Sequence, residues 1–191
     1  MLEKDRVDFK GAEKFILQPF QKERFAVNLQ VSGTLDRSAT DLQVSYKLRG
    51  NLDSVRLPFA HPTTTTPRRR DELWQTTCFE FFVAVSGSPQ YWEVNLSPSG
   101  DWNVYAFTEY RQGMREESSI TALSFSQHLQ NKFYQLALDF PLAQLVASDQ
   151  SIDVAVSVIL QGHNGQRGFY ALTHCDSQPD FHQRESFLVR L

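Results

Sequence analysis

Cysteine is scarce in this chain, with only Cys78 and Cys175 among 191 residues. Two thiols cannot build a disulfide framework, so the small stapled scaffolds are excluded. Long apolar runs are missing too: no stretch approaches the ~18 apolar residues of a membrane span. The opening MetLeuGluLysAspArgValAspPheLys has no apolar segment of signal-peptide length. The expectation is a soluble, cytoplasmic protein without a membrane partner. A strong charge of either sign is also absent. The formal net charge of −3 argues against nucleic acid as a main partner. The one basic run, ProArgArgArgAsp (67 to 71), is followed at once by Glu72 and reads as a solvated loop after the ThrThrThrThr tract.

What is present is a succession of short strand patterns. Phe25, Val27, Leu29 and Val31 alternate with polar or small residues, as do Leu42, Val44, Tyr46 and Leu48, and later Tyr134, Leu136, Leu138 and Phe140. Ile152 to Leu160 is rich in β-branched residues and reads as a central strand buried on both sides. Further strands are expected near Ser54 to Leu57, Trp102 to Thr108, Gly168 to Leu172 and Ser186 to Val189, and a helical turn or two at ProLeuAlaGlnLeuVal (141 to 146). No linker and no internal repeat divides the chain. The predicted fold is an all-β, antiparallel β-sandwich occupying residues 1–191 as a single domain.

The segment from Asp71 to Met114 is the most informative. Residues 77 to 85 and 91 to 97 read as a hairpin turned by Gly87 and Pro89. Alternation separates Phe79, Phe81, Val83 and Val85 from Cys78, Glu80, Phe82 and Ala84. It likewise separates Trp92, Val94 and Leu96 from Tyr91, Glu93, Asn95 and Ser97. A slip of one residue would put Glu80 among Trp92, Val94 and Leu96, so the register that unites Glu80 with Glu93 and Asn95 is expected. One face then becomes core, with Trp92 assigned to it. The other combines carboxylates and an amide with Cys78, Phe82 and Tyr91, which suit a binding surface better than a water-facing one.

LeuTrpGlnThrThrCysPheGlu (73 to 80), TyrTrpGluValAsnLeuSerProSerGlyAspTrp (91 to 102), TyrArgGlnGlyMet (110 to 114) and ProAspPheHis (179 to 182) together resemble the DOMON-like proteins, which are related to the family-9 carbohydrate-binding modules. The resemblance extends over nearly the whole chain. It implies an immunoglobulin-like β-sandwich with a cleft on one sheet that takes a sugar or haem, and TyrArgGlnGlyMet looks like the motif closing one end of that cleft.

Sugar sites join flat aromatic rings to carboxylates, amides and arginine. Candidate platforms are Trp74, Trp102, Tyr105 and Tyr110. Candidate polar contacts are Cys78, Glu80, Glu93, Asn95, Arg111 and His182, with Arg111, Asn95 or Tyr105 donating to the two glutamates and Arg111 orienting them or an anionic ligand. The leading expectation is a non-catalytic domain for a sugar or small polar ligand, with no metal, no cofactor and no oligomeric state assigned. Haem is the alternative that the resemblance supplies. Met114 is the only internal methionine and otherwise caps the core. A glycosidase using Glu80 and Glu93 would need one acid protonated and the other ionised, and the pattern gives no such asymmetry. Cys78 with His174 or His182 is a weaker nucleophile pair, since a mid-strand thiol beside a carboxylate has a raised pKa. The late His163, His174, Cys175, Asp176, Asp180 and His182 match no zinc spacing.

Overall fold

The computed structural model describes residues 11–20, 29–58 and 67–191. Phe25, Val27, the threonine tract and the first ten residues lie outside these. The strands, in chain order, are β1 (Glu13–Ile16), β2 (Gln18–Pro19), β3 (Leu29–Arg37), β4 (Leu42–Gly50), β5 (Cys78–Val85), β6 (Tyr91–Leu96), β7 (Trp102–Phe107), β8 (Arg115–Glu116), β9 (Phe125–Gln130), β10 (Phe133–Phe140), β11 (Ile152–Gln161), β12 (Arg167–Ala171) and β13 (Val189–Arg190). They form two antiparallel sheets. The smaller runs β1-β3-β4-β10-β9, and the larger follows β2-β12-β11-β5-β6-β7-β8, with β13 on the Asp153–Val154 end of β11.

Apolar alternation in β4 and β10 turns Leu42, Val44, Tyr46, Leu48, Tyr134, Leu136, Leu138 and Phe140 inward. They meet Phe79, Phe81, Val83, Val94, Leu96, Val104, Val154, Val156 and Val158 of the larger sheet in one core. Ring contacts cross between the sheets edge-on, Tyr46 to Phe79 and Phe81 to Phe140, each at 5.3 Å between centroids. Burying each such side chain contributes about 1.5–3 kcal/mol. Gly33 of β3 belongs to the same layer, where a Cβ would lie 2.4 Å from the Phe15 ring.

The larger sheet is buried on its outer face as well. Phe82, Ala84, Tyr91, Tyr105, Phe107, Ala155 and Ile159 form a second apolar cluster there, covered by Phe181 and Phe187 of the carboxyl-terminal segment. That cover explains why every residue from Ile152 to Leu160 is buried. The hairpin register is as expected: Phe81 faces Val94, Glu80 faces Asn95 and Phe82 faces Glu93, with Gly87 in the turn at φ +80°.

Several local expectations are corrected. Residues 54–57 make no strand; a 3₁₀ turn at Leu52–Ser54 leads to a lone bridge from Val55 to Gly162. At the other end, Arg184–Ser186 is a 3₁₀ turn and only Val189–Arg190 pairs. The basic run is not simply solvated. Arg69 bridges to Trp102 and lays its guanidinium 4.5 Å over that ring. It donates to Asn103 Oδ1 at 2.7 Å, to the carbonyl of Glu117 at 3.0 Å and to that of Ile120. Trp92 is partly buried against the core and donates its indole N–H to Glu117 at 3.0 Å. Among the described residues no helix is long and apolar enough to cross a membrane.

Candidate functional site

The outer face of the larger sheet and the carboxyl-terminal segment enclose a cavity of about 290 Å³. Its floor is strand-borne: Glu80 and Phe82 from β5, Glu93 from β6, Phe107 from β7, Ile159 from β11 and Phe169 from β12. Trp74, Arg111, Met114, Pro179, Phe181 and His182 supply the walls. Pleating explains the floor, since Ser157 pairs with Glu80 and Ala155 with Phe82, so these residues all project to one side.

Both glutamates are almost fully buried, Glu80 at 2% exposure and Glu93 at 5%. Glu80 Oε2 accepts from the Ser157 hydroxyl at 3.1 Å, while Oε1 is buried with no partner. Glu93 Oε1 accepts from Asn95 Nδ2 at 2.8 Å, and Asn95 Oδ1 accepts from the Cys78 thiol at 3.4 Å. This relay fixes the amide's orientation and gives Cys78 a structural task. Burial, with Glu93 nearby, lifts the Glu80 carboxyl from 4.5 to about 8; burial lifts Glu93 to about 7 against the Asn95 hydrogen bond and the Arg111 charge. Both acids move the same way for the same reason.

His182 closes the site from above. Burial and then the Arg111 charge lower its ring to about 4, so it is neutral near pH 7. The Tyr91 hydroxyl accepts from the Arg111 backbone N–H at 3.1 Å and shares a hydrogen bond with His182 Nδ1 at 2.8 Å. With Tyr91 as the donor the ring hydrogen sits on Nε2, which faces Glu93 Oε2 at 3.8 Å, beyond hydrogen-bond reach. Donor and acceptor confront each other across a gap.

Arg111 takes the left-handed conformation at φ +53°, and its guanidinium binds Asp180 at 2.9 Å. It does not reach the glutamates, correcting its expected role as their donor. Asp180 also accepts from the Tyr110 hydroxyl, so Tyr110 latches the rim from outside the cavity. Tyr105 does not donate to the glutamates either; its hydroxyl donates to Asp71 at 2.8 Å while its ring meets Trp74 edge-on at 5.6 Å. Trp102 is the clear miss among the aromatics. It is 3% exposed in the main core, because it shares the parity of Val104 and Ala106 on β7 rather than that of Tyr105. Cys78 and Asn95 lie behind the glutamates instead of lining the cavity. Burial pushes the Cys78 thiol well up, the reverse of what a nucleophile requires.

Met114 is not a core cap; it is 48% exposed at the cavity rim, on the same cavity as His182. These are the residue types that hold haem b in DOMON domains. The surroundings do not fit that group. His182 Nδ1 is occupied by Tyr91, Nε2 is turned to Glu93, and two buried carboxyls would lie under the macrocycle. Among the described residues no three His, Cys, Asp or Glu side chains gather into a metal-holding group. Phe107, Ile159 and Phe169 line the cavity without having been expected. For Phe107 the signal was available, since it has the parity of Tyr105 on the same strand.

No protein-family model matches the chain, and no curated protein matches it. Solved structures do. A Bacteroides uniformis protein provisionally described as carbohydrate-binding superposes with a TM-score of 0.69 at 15% identity, over 92% of this chain and 84% of its own. A family-9 carbohydrate-binding module from Caldicellulosiruptor kristjanssonii, solved in complex with glucose, gives a TM-score of 0.51 at 12% identity, over 91% and 81%. The fold of this chain is the antiparallel β-sandwich of these carbohydrate-binding modules.

Proposed function

We propose that this chain is a DOMON-like, non-catalytic sugar-binding domain, with the cavity on the outer face of the larger sheet as its site. The observation that carries the reading is the buried, unpartnered Glu80 Oε1 set beside Glu93 in a cavity walled by aromatic rings. A buried acceptor without a donor costs about 1–3 kcal/mol, and such a group is retained where a ligand satisfies it. Sugar hydroxyls provide those donors. The Glu93–His182 gap suits one hydroxyl, which would accept from Nε2–H and donate to Oε2. Apolar C–H faces of a pyranose would pack on Trp74, Phe107 and Phe181. A cavity of about 290 Å³ is near the small end of ligand pockets, about 300–1,000 Å³, which favours one sugar ring or the end of a glycan over a long chain. The glucose complex of the Caldicellulosiruptor module supports the same class of ligand on the same fold.

The test is a calorimetric titration with monosaccharides and short oligosaccharides, on the wild type and on Glu93→Gln. A charge-assisted hydrogen bond contributes about 1.5–3 kcal/mol, so saturable binding by the wild type should weaken about tenfold or more in the variant while its circular dichroism stays unchanged. Turnover of a glycoside by the wild type and its loss in the variant would replace the binding reading with a two-carboxylate hydrolase.

A further inference from the structure

Resting on the sugar reading, we infer that the ligand carries a free, protonated amine: the site selects an amino sugar over its neutral counterpart. The charge around the cavity is unbalanced. Two buried carboxyls, Glu80 and Glu93, form the floor. The cation on the cavity wall, Arg111, is already bound to Asp180, and His182 is neutral with Nδ1 held by Tyr91. Arg167 lies outside the lining, its guanidinium over the Phe169 ring and donating to the Trp74 carbonyl at 3.4 Å. Among the described residues no lysine or arginine pairs directly with either floor carboxyl, and the Arg111 charge acts on Glu93 only from a distance.

A hydroxyl would donate one hydrogen bond to Glu80 Oε1 and give neither carboxyl a reason to ionise, since burial holds both protonated near pH 6.5. An ammonium has three N–H donors, so it can satisfy Oε1 and reach Glu93, displacing the carboxyl protons to the solvent and pairing with the carboxylates that result. The walls favour a cation too. Trp74, Phe82, Phe107 and Phe181 present rings around the same space, and ring faces attract a desolvated ammonium. An anionic sugar meets the opposite surroundings, because Arg111 is committed and both floor groups are acids. Burial holds both carboxyls above their usual range, which is the signature of a site lacking its counter-charge.

Calorimetric titrations of the intact protein near pH 6.5 should compare glucose, glucosamine, N-acetylglucosamine and ethanolamine. Glucosamine is expected to bind about tenfold or more tighter than glucose, and N-acetylation, which removes the charge, should abolish that preference. In Glu80→Gln, glucosamine should fall to within about twofold of glucose. The preference in the wild type is a complete test by itself should the variant fail to fold. Equal affinity for glucose and glucosamine would overturn the inference and leave the sugar reading standing. Ethanolamine binding as tightly as glucosamine would keep the ammonium site and overturn the sugar. No binding of any of the four would overturn both.

Discussion

Glu80→Gln keeps the shape of a side chain that the fold disfavours as an anion, so its effect on stability should depend on pH with a definite sign. In the unfolded chain the carboxyl ionises near 4.5; in the fold, burial and the neighbouring Glu93 hold it protonated up to about 8. Between those values the native state binds more protons than the unfolded chain, and stability falls as pH rises through the window. At about 1.36 kcal/mol per tenfold step, the native state loses up to about 4 kcal/mol by pH 8, and about 2–4 kcal/mol is expected where water reaches the cavity mouth. Glutamine has no charge to bury. In urea unfolding, the variant should lie within about 1 kcal/mol of the wild type at about pH 5 and be more stable by about 2–4 kcal/mol at about pH 8. His182 works in the opposite direction. Its folded value near 4 lies below the unfolded 6.5, so its contribution is lost as pH falls through that range. Comparing variant with wild type at each pH removes this contribution. A variant destabilised equally at both pH values would refute the reasoning, because it would mean that the charged Glu80 is well satisfied in the free protein.

Arg69→Lys should cost about 2–4 kcal/mol in urea unfolding, since an ammonium cannot reproduce the fork that serves Asn103 and three backbone carbonyls, and a neutral result would return Arg69 to the solvated class. Trp92→Ala should cost about 2–4 kcal/mol, toward the low end for tryptophan because the ring is only partly buried; a change below about 1 kcal/mol would show that the ring contributes little to the core. Gly113→Ala should lower stability by about 1–3 kcal/mol, because φ is +64° there and a Cβ would lie 2.6 Å from Thr108 Oγ1; an unchanged melting temperature would contradict this.

The hairpin and its two faces were legible because the observed register keeps Glu80, Glu93 and Asn95 on one face and a slip of one residue buries a charge in the core. Alternation also exposes the error at Trp102. Trp102 and Tyr105 are three residues apart on one strand and cannot share a face, so only one of them could belong to the site. The partners of Arg69 and Arg111 were not legible. Arg69 is satisfied by Asn103 and by carbonyls up to 51 positions away, and Arg111 by an aspartate 69 positions away. A local run of charge looks the same whether it faces water or a distant loop. Strand β3 extends beyond its apolar pattern because Gly33 occupies an inward position that the Phe15 ring fills. Strand β9, whose residues are mostly exposed, carries too little apolar alternation to announce itself.

The three tryptophans offer the most direct test of sugar binding in the outer-face cavity. Only Trp74 among them lines it; the Trp92 indole is tied to Glu117, and Trp102 is sealed in the main core. Glucosamine titrated into isotope-labelled protein, followed through the tryptophan indole N–H signals by NMR, should move the Trp74 signal saturably and leave the other two in place. Saturable binding that leaves Trp74 unmoved, or a spectrum that does not respond to any sugar, would contradict the assignment of this cavity as a sugar site.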